Sequence, residues 1–349
     1  MKRVSKFLIV FMFLPVFLSC NSTGTDNLKI GVMLPLTGYG SLTGDLLKKG
    51  VDLAVDSLNL NEQNIEVLFD DNKTDGLNGI TVYKNFKRQG VSFYISGGAP
   101  STMALAPLTK GNNEVLFVSA VNSKDLTNVT DRAIRLSPTG ESMAAKLADF
   151  NYDSLGVRKT AVVYVNIEMG EEFYLGYKDR FLEKGGEIVA SLVYDTDQRD
   201  FKDIVNKIIA ASPDALYLVG VGESLSSLIR QISLNPKSNR ILLTGDFNFS
   251  SPVVLKALEQ YPSEVYYTDI AVDPEFKLLY EKTYNEPVSS YAAFTFSIMQ
   301  IYSEVLKQTT DPTEVYAKIA SHTFNCAIDT ISFSEKGEPS FTIDYIKLH

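Results

Sequence analysis

The chain has 349 residues, 45% hydrophobic and 21% charged, with 42 acidic against 33 basic side chains and a net charge of −9. That balance provides no basic stripe for a phosphate backbone, which argues against nucleic-acid binding. The length is enough for two ordinary domains with full cores. Two histidines, His322 and His349, leave a Ser-His-Asp arrangement without a base, and no Cys/His cluster supports a metal site. An enzyme and a resident cofactor are therefore not expected.

In chain order, Met1–Lys6 carries Lys2, Arg3 and Lys6, and Phe7–Leu18 is almost uninterrupted hydrocarbon. Ser19 and Cys20 follow, and the chain turns polar from Asn21. A basic patch, a short apolar run and a small-residue exit describe a secretory signal, too short to span a bilayer as a mature helix. With a Cys at the cleavage point, residues 1–20 resemble a bacterial lipoprotein signal, in which Cys20 is acylated and becomes the new N-terminus. Phe17 stands where that signal usually has Leu. The alternative is plain cleavage nearby, with Cys20 an incidental thiol; either way the protein works outside the cytoplasm. Losing the three basic residues of the signal leaves 30 basic against 42 acidic side chains. With Cys20 acylated, Cys326 has no disulfide partner, and its apolar run Phe324–Ile328 predicts a buried structural thiol.

From residue 28 short β-rich runs alternate with helical ones, the pattern of a parallel α/β architecture. Lys29–Leu34, Asn64–Asp70, Ser92–Ile95 and Val115–Val118 read as strands, and Gly44–Leu58, Asn78–Gln89 and Ser101–Lys110 as helices. After a helix around Gly140–Asp153 a second series begins. Its strands are Thr160–Val165, Glu187–Tyr194, Ala215–Val219, Arg240–Thr244 and Glu264–Thr268, alternating with helices near Gly170–Lys184, Phe201–Ala211, Glu223–Leu234 and Pro252–Glu259. Helices Glu275–Tyr284, Tyr291–Lys307 and Pro312–Ser321 follow. Two terminal strands, Thr330–Phe333 and Thr342–Lys347, close the chain around the Lys336-Gly337 turn. Two such series predict two lobes, each an open sheet with helices on both faces. Ligands bind such sheets at the carboxyl ends of the strands, here the loops after Leu34, Ile95, Val118, Val165, Val219 and Thr244.

Those loops carry candidate chemistry. Pro35–Gly44 places Gly38, Gly40 and Gly44 before a helix N-terminus that can receive an anion. Its G-x-G-x-x-x-G spacing, with Asp70 ending the second strand, is a displaced dinucleotide pattern; a carboxylate suits the same terminus, and an exported protein rarely meets NAD. Ser101 and Thr102 offer hydroxyls after Ile95, where Ser101 can equally be a helix cap. Ala120 and Asn122 offer a backbone N–H and an amide, and Asp246 a carboxylate that caps the next turn or holds an ammonium. Asp70-Asp71 reads as a solvated strand end.

Lys29–Gly38 with Gly44 and Gly50–Asp56 resembles the opening of leucine/isoleucine/valine-type (type I) periplasmic binding proteins. Gly97–Pro107 resembles that family's Gly-Pro-Ser-Ser loop and Ala-Pro-ending helix, and Phe117–Thr127 its strand and Leu-Thr turn. Glu286-Pro287, Tyr291-Ala-Ala and the closing Phe333…Gly337 segment extend the likeness over essentially the whole mature chain. The resemblance implies an α/β fold of two doubly wound lobes joined by three crossovers around a ligand cleft. The N-terminal lobe takes residues 28–140 plus 270–327, and the C-terminal lobe 141–269 plus 328–349. It implies that Ser101 or Thr102, Ala120 and Asn122 hold an α-carboxylate and Asp246 an α-ammonium. Thr43, Met169 and Val221 match positions where family members often place an aromatic, so Tyr39 or Phe247 would have to supply a ring. The implied partners are a small solute such as an amino acid, an ABC permease, and a membrane through the lipid on Cys20. A ligand sensor, or a surface lipoprotein that no longer transports, shares the same fold.

Overall fold

The computed structural model describes residues 27–340 and 342–348, so the signal segment and Cys20 lie outside it. Apolar runs bounded by turn residues become parallel strands, and amphipathic segments between them become the covering helices. The first series is β1 (Leu28–Leu34), α1 (Ser41–Ser57), β2 (Ile65–Asp71), α2 (Gly76–Arg88), β3 (Phe93–Gly97), α3 (Ala99–Leu105), β4 (Val115–Ser119), α4 (Leu126–Val129) and β5 (Ala133–Arg135). Its strands form a parallel sheet in the order β2-β1-β3-β4-β5. β3 and β4 are buried at every position, as parallel strands covered by helices on both faces must be. Asn72 stitches this sheet: its amide donates to the Met33 carbonyl of β1 at 3.0 Å and the Gly97 carbonyl of β3 at 2.7 Å.

The second series is α5 (Gly140–Asp149), β6 (Lys159–Val165), α6 (Glu168–Glu183), β7 (Glu187–Tyr194), α7 (Lys202–Ala211), β8 (Ala215–Val219), α8 (Gly222–Ser233), β9 (Leu242–Gly245), α9 (Pro252–Leu258) and β10 (Val265–Ile270). The chain then returns to the first lobe through α10 (Pro274–Tyr284), α11 (Ser290–Val305), α12 (Pro312–Ser321), β11 (Thr323–Cys326), β12 (Asp329–Phe333) and β13 (Pro339–Ser340), and ends in β14 (Ile343–Lys347). The second sheet runs β14-β10-β9-β8-β6-β7, with β14 antiparallel to β10. Helix starts carry their own stops on fraying: Asp75, Thr139, Asp273 and Asp311 accept backbone N–H bonds as caps of α2, α5, α10 and α12.

α11 is buried on almost every face because it lies inside the first lobe. It approaches α1 at Gly50, where an added Cβ would sit 2.1 Å from the Ala292 carbonyl oxygen, so only glycine permits this packing. Thr295 closes the contact by donating to the Leu47 carbonyl at 2.7 Å.

Three segments cross between the lobes, from β5 to α5, from β10 to α10 and from β13 to β14. The C-terminal end corrects the sequence reading in two ways. Thr330–Phe333 and the final strand do not share a sheet: β12 pairs with β11 and β13, and β14 fills the edge beside β10. The expected lobe boundary at 327/328 therefore runs through the β11–β12 turn, and pairing keeps residues 329–340 with the first lobe. Side chains explain the division. Phe333 meets Phe117 edge-on at 6.2 Å, whereas Tyr345 stacks on Phe150 of the second lobe at 4.3 Å. The short strands β5 and β11 escaped the sequence reading, being three and four residues long. Cys326 is a buried free thiol, raised above its ordinary pKa by that burial.

Candidate solute-binding cleft

In a doubly wound sheet the crevice opens where the strand order reverses, at the carboxyl ends of the strands. The reversal falls between β1 and β3 in the first sheet and between β6 and β8 in the second. The loops at these two reversals face each other across one cavity of about 100 Å³. Pro35, Tyr39, Gly40 and Thr43 follow β1, and Gly98, Ala99 and Pro100 follow β3. Ile167, Glu168 and Met169 follow β6, and Val221 follows β8; Thr74, Ala120, Asn122 and Tyr291 complete the wall. A larger hollow of about 610 Å³ beside α5 and α6 adjoins the cleft only at Asn122 and carries no residue of the loops after β1, β3, β6 or β8, and one of about 500 Å³ lies beside α10. Topology, not size, selects the cleft. An apolar cavity of ~150 Å³ already holds benzene, so the lobes stand close together with room for only a small group.

The wall is mostly apolar, and Glu168 is its one charged side chain. Thr74 adds a hydroxyl that is buried and without a partner. Ala120 has a left-handed φ of +53°, unusual for a side chain with a Cβ, as do Lys73 and Thr74 at +56°. Such backbone strain survives where surrounding contacts over-determine it, and functional loops are a common setting. The Asp71 carboxylate ties the β1 and β2 loops together. It accepts from the Leu36 N–H at 2.9 Å, the Thr37 hydroxyl at 2.6 Å and the Lys73 N–H at 2.9 Å. These bonds to its charged form hold its pKa down against the opposing desolvation. The expected solvated strand end is thus a structural knot.

Asp246 lies one layer behind the wall. It is 1% exposed, caps the turn Phe247–Ser250 through the Asn248 N–H at 2.9 Å, and also accepts from the Asn248 amide. Its second oxygen, Oδ2, is buried without a partner. Burial pushes its pKa up to about 7, against the two bonds from Asn248, and Asp269 nearby is likewise pushed up to about 7 by burial. A hydrogen-bonded path connects Asp246 to the cavity. Tyr291, on the wall, donates to Oδ1 of the Asn248 side chain at 2.6 Å, and Nδ2 of the same amide donates to Asp246.

Of the residues singled out in the sequence, Tyr39, Thr43, Ala120, Asn122, Met169 and Val221 line the cavity. Ser101 and Thr102 do not. Gly98, at φ +87°, turns the chain so that Ala99 and Pro100 face the cleft. The Ser101 hydroxyl donates inward to the Gly98 carbonyl at 3.1 Å, and Thr102 bonds Ser96 at 2.6 Å. Phe247 supplies no ring to the cavity. It is fully buried and packs edge-on against Tyr291 at 5.3 Å, so Tyr291 presents the aromatic face instead. Thr74, Glu168 and Tyr291 were missed, although Glu168 sits at the end of the loop after Val165 that the strand-end rule names. The strand-end rule that named the other loops applies equally to the loop after Asp71, whereas nothing in the sequence aims Tyr291 at the cleft.

A periplasmic binding protein family profile matches residues 27–340. The chain belongs to the periplasmic binding protein family. It is similar to Leu/Ile/Val-binding protein homolog 3 of Brucella melitensis, 24% identical over 349 residues and covering 92% of each chain. Homolog 1 of the same organism is 21% identical, covering 89% of this chain and 87% of its own. A solute-binding protein of an ABC transporter from Rhodopseudomonas palustris, solved with 3,4-dihydroxybenzoic acid, superposes with a TM-score of 0.83 at 20% identity over 93% of each chain. LivJ from Streptococcus pneumoniae, solved with isoleucine, gives 0.82 at 19% identity over 92% of this chain and 95% of its own. The structural likenesses show the two-lobe type I fold, and the family match over residues 27–340 carries the membership.

Proposed function

We propose that this member of the family binds a small amino acid, or a related zwitterion, in the cleft and delivers it to an ABC permease from outside the cytoplasm. The observation that carries the reading is the charge of the site. Glu168 on the wall and Asp246 behind it are acidic, and no cationic side chain lines the cavity. Glu168 faces the cavity and meets a ligand ammonium directly. Asp246, one layer behind and linked through Asn248 and Tyr291, adds negative charge that the ammonium offsets. An acid without an amine meets that charge with no cation to offset it. The ligand carboxylate is held by the hydroxyl of Thr74 and by the Ala120–Asn122 loop. Closure of the lobes then excludes water and strengthens each polar contact. A solute favours the closed state only by its greater affinity for it.

The N-terminal segment supports the placement: a secretory signal ending at Cys20 would leave a lipid-anchored protein on a short polar tether, Asn21–Asn27. Among the described residues no helix is long and apolar enough to cross a membrane. The decisive test is calorimetric titration of Asp246→Ala with the amino acid that binds the parent. The reading predicts an affinity at least tenfold weaker. Unchanged affinity removes the ammonium role of Asp246.

A further inference from the structure

We propose that the Arg135–Glu338 ion pair is a positioning element of the solute site, holding loop 120–123 in the strained shape that faces the cleft. The inference rests on the reading that Ala120 and Asn122 touch solute. The loop leaves β4 with Ala120 at φ +53°, a conformation that returns to an ordinary one unless something holds it. What holds it is Arg135, a fully buried cation on β5. Its guanidinium donates to the Val121 carbonyl at 2.6 Å and to the Ser123 carbonyl at 2.6 Å, gripping the loop on both sides of Asn122. Ser137 adds a second donor to the Val121 carbonyl at 3.1 Å, and the Asn122 amide donates to the Pro138 carbonyl at 2.9 Å.

Carbonyl oxygens alone do not compensate a buried positive charge. Glu338 does so, accepting from Nε at 2.9 Å and from a terminal guanidinium nitrogen at 3.3 Å, a two-point grip that matches the planar fork. Glu172 on α6 does not replace Glu338: burial pushes the Glu172 carboxyl up to about 7, and the charge of Arg135 only partly opposes the shift. Glu338 comes from a turn docked on the edge of β5. The Arg135 N–H donates to the Gly337 carbonyl at 2.8 Å, and Gly337, at φ +74°, would place a Cβ 2.3 Å from the Ala133 carbonyl oxygen. The same segment enters β13, the last strand before the chain crosses into the second lobe. A charge 203 residues away in sequence thus sets the loop that grips the ligand.

The pair is tested by hydrogen–deuterium exchange on the purified protein and two variants. Glu338→Gln keeps the shape and removes the charge; Gly337→Ala keeps both charges and pushes the turn off β5. Both are expected to raise amide exchange in residues 119–125 at least tenfold while β3 and β6 keep their rates. Glu338→Asp, which retains a carboxylate, restores most of the protection. Unchanged exchange in the loop, or equal acceleration in β3 and β6, overturns the positioning role in favour of none or of general destabilisation. Where an amino acid binds the parent, Glu338→Gln also weakens it about tenfold with β6 exchange unaltered. If no solute binds the parent, the proposed function fails, and the exchange comparison still decides the role of the pair.

Discussion

Replacing Asp246 by Asn should stabilise the empty protein at pH 8 and not at pH 4.5. The carboxyl is 1% exposed, its Oδ2 has no partner, and burial raises it from 3.8 to about 7. A folded pKa above the unfolded value means that the folded state binds the extra proton. Stability from this group is then full below about pH 4, declines as pH rises toward 7, and is flat above. Three units at ~1.4 kcal/mol each give a ceiling of about 4 kcal/mol for burying the ionised form. The amide of Asn lacks a partner at the same position, which returns about 1–3 kcal/mol. A net gain of about 1–3 kcal/mol at pH 8 corresponds to a melting temperature higher by roughly 2–6 °C. Asp269 is raised in the same direction by burial and, in smaller part, by the charge of Asp246, so removing that charge also eases Asp269 and adds to the gain at pH 8 rather than opposing it. Circular dichroism melts at the two pH values provide the assay. An equal difference at both pH values, or a loss at pH 8, would refute the picture of a buried carboxylate waiting for a cation.

Two further outcomes follow from the site and the N-terminus. Tyr291→Phe keeps the ring against the cavity but deletes the 2.6 Å bond to Asn248; calorimetry should show solute affinity about tenfold weaker, while stability falls only by the ~1–3 kcal/mol of one orphaned buried acceptor, a few degrees in melting temperature. Cys20→Ser in the whole chain should move the protein from the membrane to the soluble fraction of a bacterial host and abolish labelling by an alkyne fatty acid. Retention in the membrane with labelling intact would exclude Cys20 as the anchor.

Much of the fold was legible because strand and helix periods are local properties. The buried runs Ile30–Leu34 and Val115–Val118 and the helix faces between them are fixed by neighbours a few residues apart. The fate of the last two strands was not. Whether residues 330–333 and 343–347 pair with each other depends on Phe333 reaching Phe117 and Tyr345 reaching Phe150, contacts across some two hundred residues. The cleft was legible at the level of loops, since the strand-end rule needs only element order. It was not legible at the level of hydroxyls. Ser101 and Thr102 are turned inward by the single positive φ of Gly98. Tyr291 reaches the wall from the start of α11, a helix of the returning segment that no strand-end rule names.

The most direct test of the account compares dye-reported thermal unfolding of ligand-free protein with each α-amino acid and with its deaminated 2-oxo acid, alongside hydroxybenzoates. The dye is needed because the chain has no Trp. At ~100 times its dissociation constant a cleft ligand adds about 2.7 kcal/mol, a shift of several degrees. The account predicts a shift with at least one amino acid and none with the matched oxo acid or the benzoates. An equal shift from the deaminated partner, or a shift from a hydroxybenzoate alone, would contradict an acidic cleft that selects its ligand by an ammonium group.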